Sequence, residues 1–167
     1  EHDSEVISGM LAQRGYTELA DSQADPDIII INTCSIRENA DKRFFGTLGQ
    51  LKKIKARKPD FAVCVCGCMM QQDHITEKLR RSYPWVDVIF GTHNIHEFPD
   101  MLEEMYDNRA DEGETNNRSS KATRVDKVYE ASSDIVEGLP AKRLYGHKSF
   151  VNIMFGCNNF CTYCIVP

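Results

Sequence analysis

The chain has 167 residues, 41% of them hydrophobic, with 25 acidic side chains against 20 basic ones, a formal net charge of −5, and seven cysteines. That apolar content is enough for a packed core, and the absence of any run of about eighteen apolar residues or of a leader pattern excludes a membrane-spanning helix and argues against export. An acidic chain is a poor candidate for the main grip on a nucleic acid, which usually shows a basic face. Cysteines clustered at turns read as reduced, metal-binding thiols of a cytoplasmic protein rather than as disulfides.

Residues 4–14 predict a helix. Val6, Ile7, Met10 and Leu11 form its apolar stripe, Gly15 suits its carboxyl cap, and Asp3 and Ser4 read as residues of its amino-terminal cap. Residues 16–19 predict a short strand. Residues 27–32 contain four consecutive isoleucines, the continuous run of a strand buried on both faces. Ser35 and Glu38 then form a capping box for a helix. Its apolar positions Ile36, Ala40, Phe44, Leu48, Leu51 and Ile54 step by three and four until Pro59 stops it. Lys52, Lys53, Lys55, Arg57 and Lys58 fall at the end of that helix, where cations complement the helix dipole and face solvent. No aromatic residue interleaves with them, which argues against a nucleic-acid contact there.

The pattern repeats. Residues 61–66 predict a second buried strand, Gly67 and Cys68 the turn after it, and a helix follows through Ile75 and Leu79 to Pro84. Residues 86–90 predict a third strand, and Asn94 with Glu97 caps a helix carrying Ile95, Phe98, Leu102 and Met105. Alternating strands and helices define an α/β fold, an open parallel sheet with helices on both faces. Residues 107–133 lose apolar periodicity and read as a linker with a short strand near 125–129. A strand over 148–154 then runs straight into a cysteine loop.

That loop holds Cys157, Cys161 and Cys164 at Cys-x3-Cys-x2-Cys spacing. Three thiolates so close can take three corners of a cubic iron–sulfur cluster and leave the fourth iron open to bind something. Zinc sites usually show paired Cys-x2-Cys steps instead. Cys34 and Cys68 are far apart in sequence, yet each lies just beyond a predicted strand and at the start of a predicted helix. In a parallel sheet the strand ends share one edge, so these two thiols are expected to approach each other there. Helix amino termini favour thiolates, which would ready both for metal. Cys64 and Cys66 alternate within a strand and read as small core residues. His74, His93 and His96 have no partner at metal spacing and read as structural or solvated.

The loop string Asn159-Phe160-Cys161-Thr162-Tyr163-Cys164, the segment 32–40 (Asn-Thr-Cys-Ser-Ile-Arg-Glu-Asn-Ala) and Gly67-Cys68-Met69-Met70-Gln71 together resemble the radical S-adenosylmethionine (SAM) methylthiotransferase family. The branch that adds a methylthio group to C2 of isopentenyladenosine next to the tRNA anticodon is the most similar. Branches acting on threonylcarbamoyladenosine or on a ribosomal protein are the alternatives, and a non-catalytic metal-binding α/β module is the alternative of another class. The resemblance implies a flavodoxin-like amino-terminal domain at 1–106 without its first strand and that strand's cysteine, a linker at 107–147, and the first strand and cluster loop of a truncated (β/α) barrel at 148–167. It implies two 4Fe–4S clusters. Cys157, Cys161 and Cys164 would hold the one that binds SAM, and Cys34 and Cys68 would contribute to the auxiliary one. Tyr163 would lie near the SAM adenine. One-electron cleavage of SAM would give a radical able to take the C2 hydrogen of adenine. The implied partners are tRNA, held mainly by later domains, and an electron donor such as a flavodoxin, with no membrane and a monomeric enzyme. The chain by itself is expected to be inactive.

Overall fold

A computed structural model describes residues 1–19, 25–35, 39–114, 124–129, 136–143 and 145–151. The cysteine loop with Cys157, Cys161, Tyr163 and Cys164 lies outside the described residues. So do residues 36–38 of the expected capping box and most of the strand expected over 148–154.

Helix α1 (His2–Gln13) turns its apolar stripe inward, burying Val6, Ile7, Met10 and Leu11. Gly15 closes it with φ of +86°, a conformation in which a Cβ is strained. The Gly15 N–H donates to the Ala12 carbonyl at 3.1 Å and the Tyr16 N–H to that of Leu11 at 3.0 Å, the two bonds of a Schellman cap. Residues 16–19 are irregular rather than the expected strand, because the cap has already taken the Tyr16 amide. Ser4 does not cap the helix either; its hydroxyl accepts from the Asn32 side chain.

Four strands follow, β1 (Ile28–Thr33), β2 (Ala62–Gly67), β3 (Val88–Phe90) and β4 (Val125–Lys127), all parallel and ordered β1-β2-β3-β4. Every residue of β2 and β3 is buried. The isoleucines of β1 are only half-buried, against expectation, because β1 is an edge of the sheet among the described residues. The linking helices are α2 (Ala40–Arg57), α3 (Asp73–Ser82) and α4 (Phe98–Glu114). Alternation along β2 divides the core in two. Ala62, Cys64 and Cys66 pack with α1 and α4, whereas Val63 and Val65 pack with Phe44, Leu48 and Leu51 of α2 and with Ile75 and Leu79 of α3. This is the expected open parallel sheet with helices on both faces.

Some local expectations gave way to tertiary contacts. α2 begins after Asn39, which stands at φ +59° and makes no side-chain cap. Asn94 is fully buried, where its amide oxygen accepts from the Gly91 N–H and its NH2 donates to the Lys127 carbonyl, tying the end of β3 to β4. α4 continues to Glu114, eight residues into the stretch that had lost periodicity, and β4 forms within the segment expected to hold a short strand. Lys55 does not face solvent: its ammonium lies 2.8 Å from Asp87 Oδ2, and Arg109 of α4 reaches Asp87 Oδ1 at 2.6 Å.

A late segment crosses α1. The Lys142 N–H donates to the Glu5 carbonyl at 2.9 Å, and the Arg143 guanidinium pairs with the buried Glu5 carboxylate at 3.1 Å. Gly9 permits the crossing, since a Cβ there would stand 2.4 Å from the Pro140 carbonyl oxygen.

Candidate metal centre at the carboxyl edge of the sheet

Parallel strands place all their carboxyl ends on one edge, the usual place for a ligand in an open α/β sheet. β1 and β2 end in register, with Thr33 opposite Gly67. Cys34 and Cys68 are therefore the next residues on two adjacent strands, and both are half-buried. The Cys68 sulfur accepts the Ser35 backbone N–H at 2.9 Å, and its thiol lies 3.6 Å from the Thr33 carbonyl oxygen. It is held against the backbone on either side of Cys34.

The surroundings fix this edge. The Thr33 hydroxyl donates to the Cys66 carbonyl at 2.6 Å, and the Asn32 amide donates to the Ser4 hydroxyl at 3.1 Å, joining the first turn of α1 to the end of β1. Gly67 turns the chain out of β2 with φ of +99° and ψ of −177°, a region essentially reserved for glycine. Sequence reasoning placed a turn at Gly67 but missed Ser4, Asn32 and Thr33. Their partners lie 28 to 33 residues away, and no local pattern announces such pairs.

Neither cysteine stands at an α-helix start as expected. Cys68 opens a 3₁₀ turn, Cys68–Gln71, and α3 begins only at Asp73; Cys34 precedes α2 by six residues, counting to Ala40. A backbone N–H aimed at sulfur, rather than a helix end, is what the structure supplies at Cys68. Cys64 and Cys66 belong to the core, at 0% and 1% exposure. Burial pushes both thiols up, helped at Cys64 by Asp87 and Cys66 and at Cys66 by Asp3. Low-dielectric surroundings disfavour the thiolate that a metal needs. His93 and His96 border a cleft of about 350 Å³ with His2 and Asp3, and His74 is exposed on α3. Among the described residues no three His, Cys, Asp or Glu side chains gather as a metal site; Cys34 and Cys68 stand just beyond adjacent strand ends.

The contrast between the cysteines sets an expected result. A water-soluble alkylating reagent on the folded chain, read by peptide mass mapping, should modify Cys34 and Cys68 about a thousandfold faster than Cys64 and Cys66. The buried pair becomes reachable only through an opening of roughly 4 kcal/mol or more. Equal rates at Cys64 and Cys68 would contradict this division.

An open parallel sheet with helices on both faces, and two cysteines just beyond adjacent strand ends, defines the class: an open α/β domain. The chain belongs to the family described as Uncharacterized protein family UPF0004, whose model matches residues 1–91. It is 47% identical over all 167 residues to a protein of Clostridioides difficile (strain 630) named tRNA-2-methylthio-N(6)-dimethylallyladenosine synthase, covering 32% of that protein. Proteins of the same name from Acetivibrio thermocellus and Clostridium tetani are 46% and 48% identical over 167 residues, the whole of this chain and 32% and 34% of theirs. The chain thus spans about a third of the length of these curated relatives. No helix among the described residues is long and apolar enough to cross a membrane.

Proposed function

We propose that the chain is the amino-terminal part of a radical SAM tRNA methylthiotransferase that adds a methylthio group to C2 of isopentenyladenosine next to the anticodon. The observation that carries this reading is the 46–48% identity, along the whole chain, to relatives named for that product class. On it, residues 1–106 form the amino-terminal domain, 107–147 the linker, and 148–167 the start of the catalytic barrel. The enzyme works in the cytoplasm as a monomer, with tRNA as substrate and a flavodoxin-like protein as electron donor. The isolated chain should not turn over SAM, because it accounts for only a third of the relatives' length.

Cys157, Cys161 and Cys164 would hold one 4Fe–4S cluster, and Cys34 and Cys68 would contribute two thiolates to a second. The donor set at the sheet edge suits such a group: two half-buried sulfurs on adjacent strand ends, one already accepting a backbone N–H as cluster sulfurs do. When bound, the clusters and SAM supply a one-electron route to a radical able to remove an unactivated hydrogen, together with the sulfur that is inserted. The protein's own part is positional. Ser35 orients Cys68, Gly67 and Thr33 set the spacing of the two strand ends, and Tyr163 would contact the SAM adenine through its backbone.

The test is iron, acid-labile sulfide and zinc per chain after anaerobic reconstitution, with Cys161→Ala alongside. At least about four irons and four sulfides, with about four of each lost in the variant, is the expected result. Zinc bound without sulfide, and unchanged in the variant, would move the chain to a non-catalytic metal-binding module.

A further inference from the structure

The two helical layers carry opposite charge. α2 holds six lysines and arginines against Asp41 alone, and α3 holds three against two acidic residues. On the other face α1 has Asp3 and Glu5 with no lysine or arginine, and α4 has seven acidic residues against Arg109. The net charge of −5 hides this asymmetry. Lys42, Lys52, Lys53, Lys78 and Arg81 on the basic layer are exposed and make no ion pair among the described residues.

Folding also supplies what the linear sequence lacked beside these cations. Phe45 of α2 stacks on Tyr83 at 5.5 Å between ring centroids, and Tyr83 meets Trp85 edge-on at 6.1 Å. All three rings are half-buried at the rim of the core; Phe45 is taken up by Tyr83 and Lys78, which leaves Tyr83 and Trp85 as the outer members of the row. The Lys78 ammonium lies 3.7 Å from the Phe45 ring centroid. Lys42 is one turn before Phe45, Lys52 two turns after it, and Arg81 one turn after Lys78. A row of aromatic edges flanked by unpaired cations is the composition of a surface that stacks bases and neutralises phosphates.

We propose that the α2–α3 face is an RNA-docking surface on which Tyr83 and Trp85, buttressed by Phe45, meet unpaired bases while Lys42, Lys52, Lys78 and Arg81 meet phosphates. The choice of RNA over other polyanions rests on the tRNA reading above, but the surface can fail while that reading stands, since the iron and sulfide test does not involve it.

Trp85 is the chain's only tryptophan, so its fluorescence reports on this face alone. Titrating the chain with a single-stranded RNA of about 12 nucleotides, within the size such surfaces cover, should quench Trp85, and affinity should fall steeply with salt. The pair Lys42→Gln and Lys78→Gln should weaken binding about tenfold and flatten the salt dependence. The charge-matched pair Gln13→Glu and Ala110→Glu, on the acidic layer, should leave affinity within about twofold. Three results would overturn the proposal: no quenching, an equal loss from both pairs, or an acidic electron-transfer protein that binds this face without being displaced by RNA.

Discussion

Replacing Asp87 with alanine should cost about 3–5 kcal/mol of folding stability, the range for removing one partner of a buried ion pair. The Asp87 carboxylate is only 6% exposed; it accepts from Lys55 at 2.8 Å and from the Val63 N–H at 2.8 Å, and it forms an ion pair with Arg109 at 2.6 Å. Burial, outweighing the attraction of Asp87, already holds the Lys55 ammonium below its ordinary value. Removing the anion leaves two largely buried cations without a counter-charge, though Lys55 keeps the Phe61 carbonyl and Arg109 the Asp60 carbonyl, and leaves the Val63 N–H without its acceptor. Asp87 also bonds through its own backbone to Val63 and Val125, so the loss falls where β2, β3 and β4 start. Lys55 comes from the layer on one face and Arg109 from the layer on the other, and Asp87 joins them around the sheet's amino-terminal edge. Asp87→Asn keeps an acceptor for Val63 and should lose less. Urea unfolding would check both: a lower midpoint at unchanged slope is expected. A loss below about 1 kcal/mol for the alanine variant would show the cluster to be a surface-like pair.

Gly67→Ala should be comparably severe, by about 3 kcal/mol or more, and its damage should centre on the cysteine edge. A Cβ at Gly67 would stand 2.3 Å from the Thr33 carbonyl oxygen, 2.6 Å from Asn32 Oδ1 and 2.7 Å from the Thr33 amide nitrogen. Two of these are backbone atoms, which cannot swing away as a side chain does. The φ of +99° is strained for alanine even without the clash. To relieve both, β1 must separate from β2 at Thr33, carrying Cys34 away from Cys68. Stability should fall, and in the surviving folded fraction Cys68 should alkylate faster because the Ser35 contact is lost. Gly15→Ala is the control for backbone strain alone, since nothing lies within 4 Å of its Cβ position, and it should cost only about 1 kcal/mol. Equal losses at the two glycines would remove the steric part of this account.

How much of this was legible in the sequence differs from element to element. The order of strands and helices was readable because apolar runs are bounded by Gly67, Pro59 and Pro84, and period changes are local properties. The placement of Cys34 and Cys68 beyond adjacent strand ends followed from topology, since both come directly after parallel strands. What holds that edge was not readable: Ser4 to Asn32 and Thr33 to Cys66 are pairs across 28 and 33 residues. Lys55 looked like a solvated cation because its partner lies 32 residues on, inside an apolar run. Asn94 and Ser35 looked like caps because short polar side chains before a helix usually are. In the structure the Asn94 side chain serves the β3–β4 junction instead, while the Ser35 box lies partly outside the described residues and α2 is described from Ala40. The aromatic row escaped notice for a similar reason: Phe45 and Tyr83 become neighbours only once α2 and α3 lie side by side.

The crossing of α1 by the segment around Arg143 has a consequence for biosynthesis. Glu5 and Arg143 are 138 residues apart, so the carboxylate leaves the ribosome long before its guanidinium partner. At about 5–20 residues per second the interval is on the order of ten seconds. During it the Glu5 carboxylate lacks the Arg143 guanidinium, and closing so long a loop is slow even when both ends are present. The tie between α1 and the segment that crosses it is therefore among the last contacts to form, long after the sheet between them has left the ribosome.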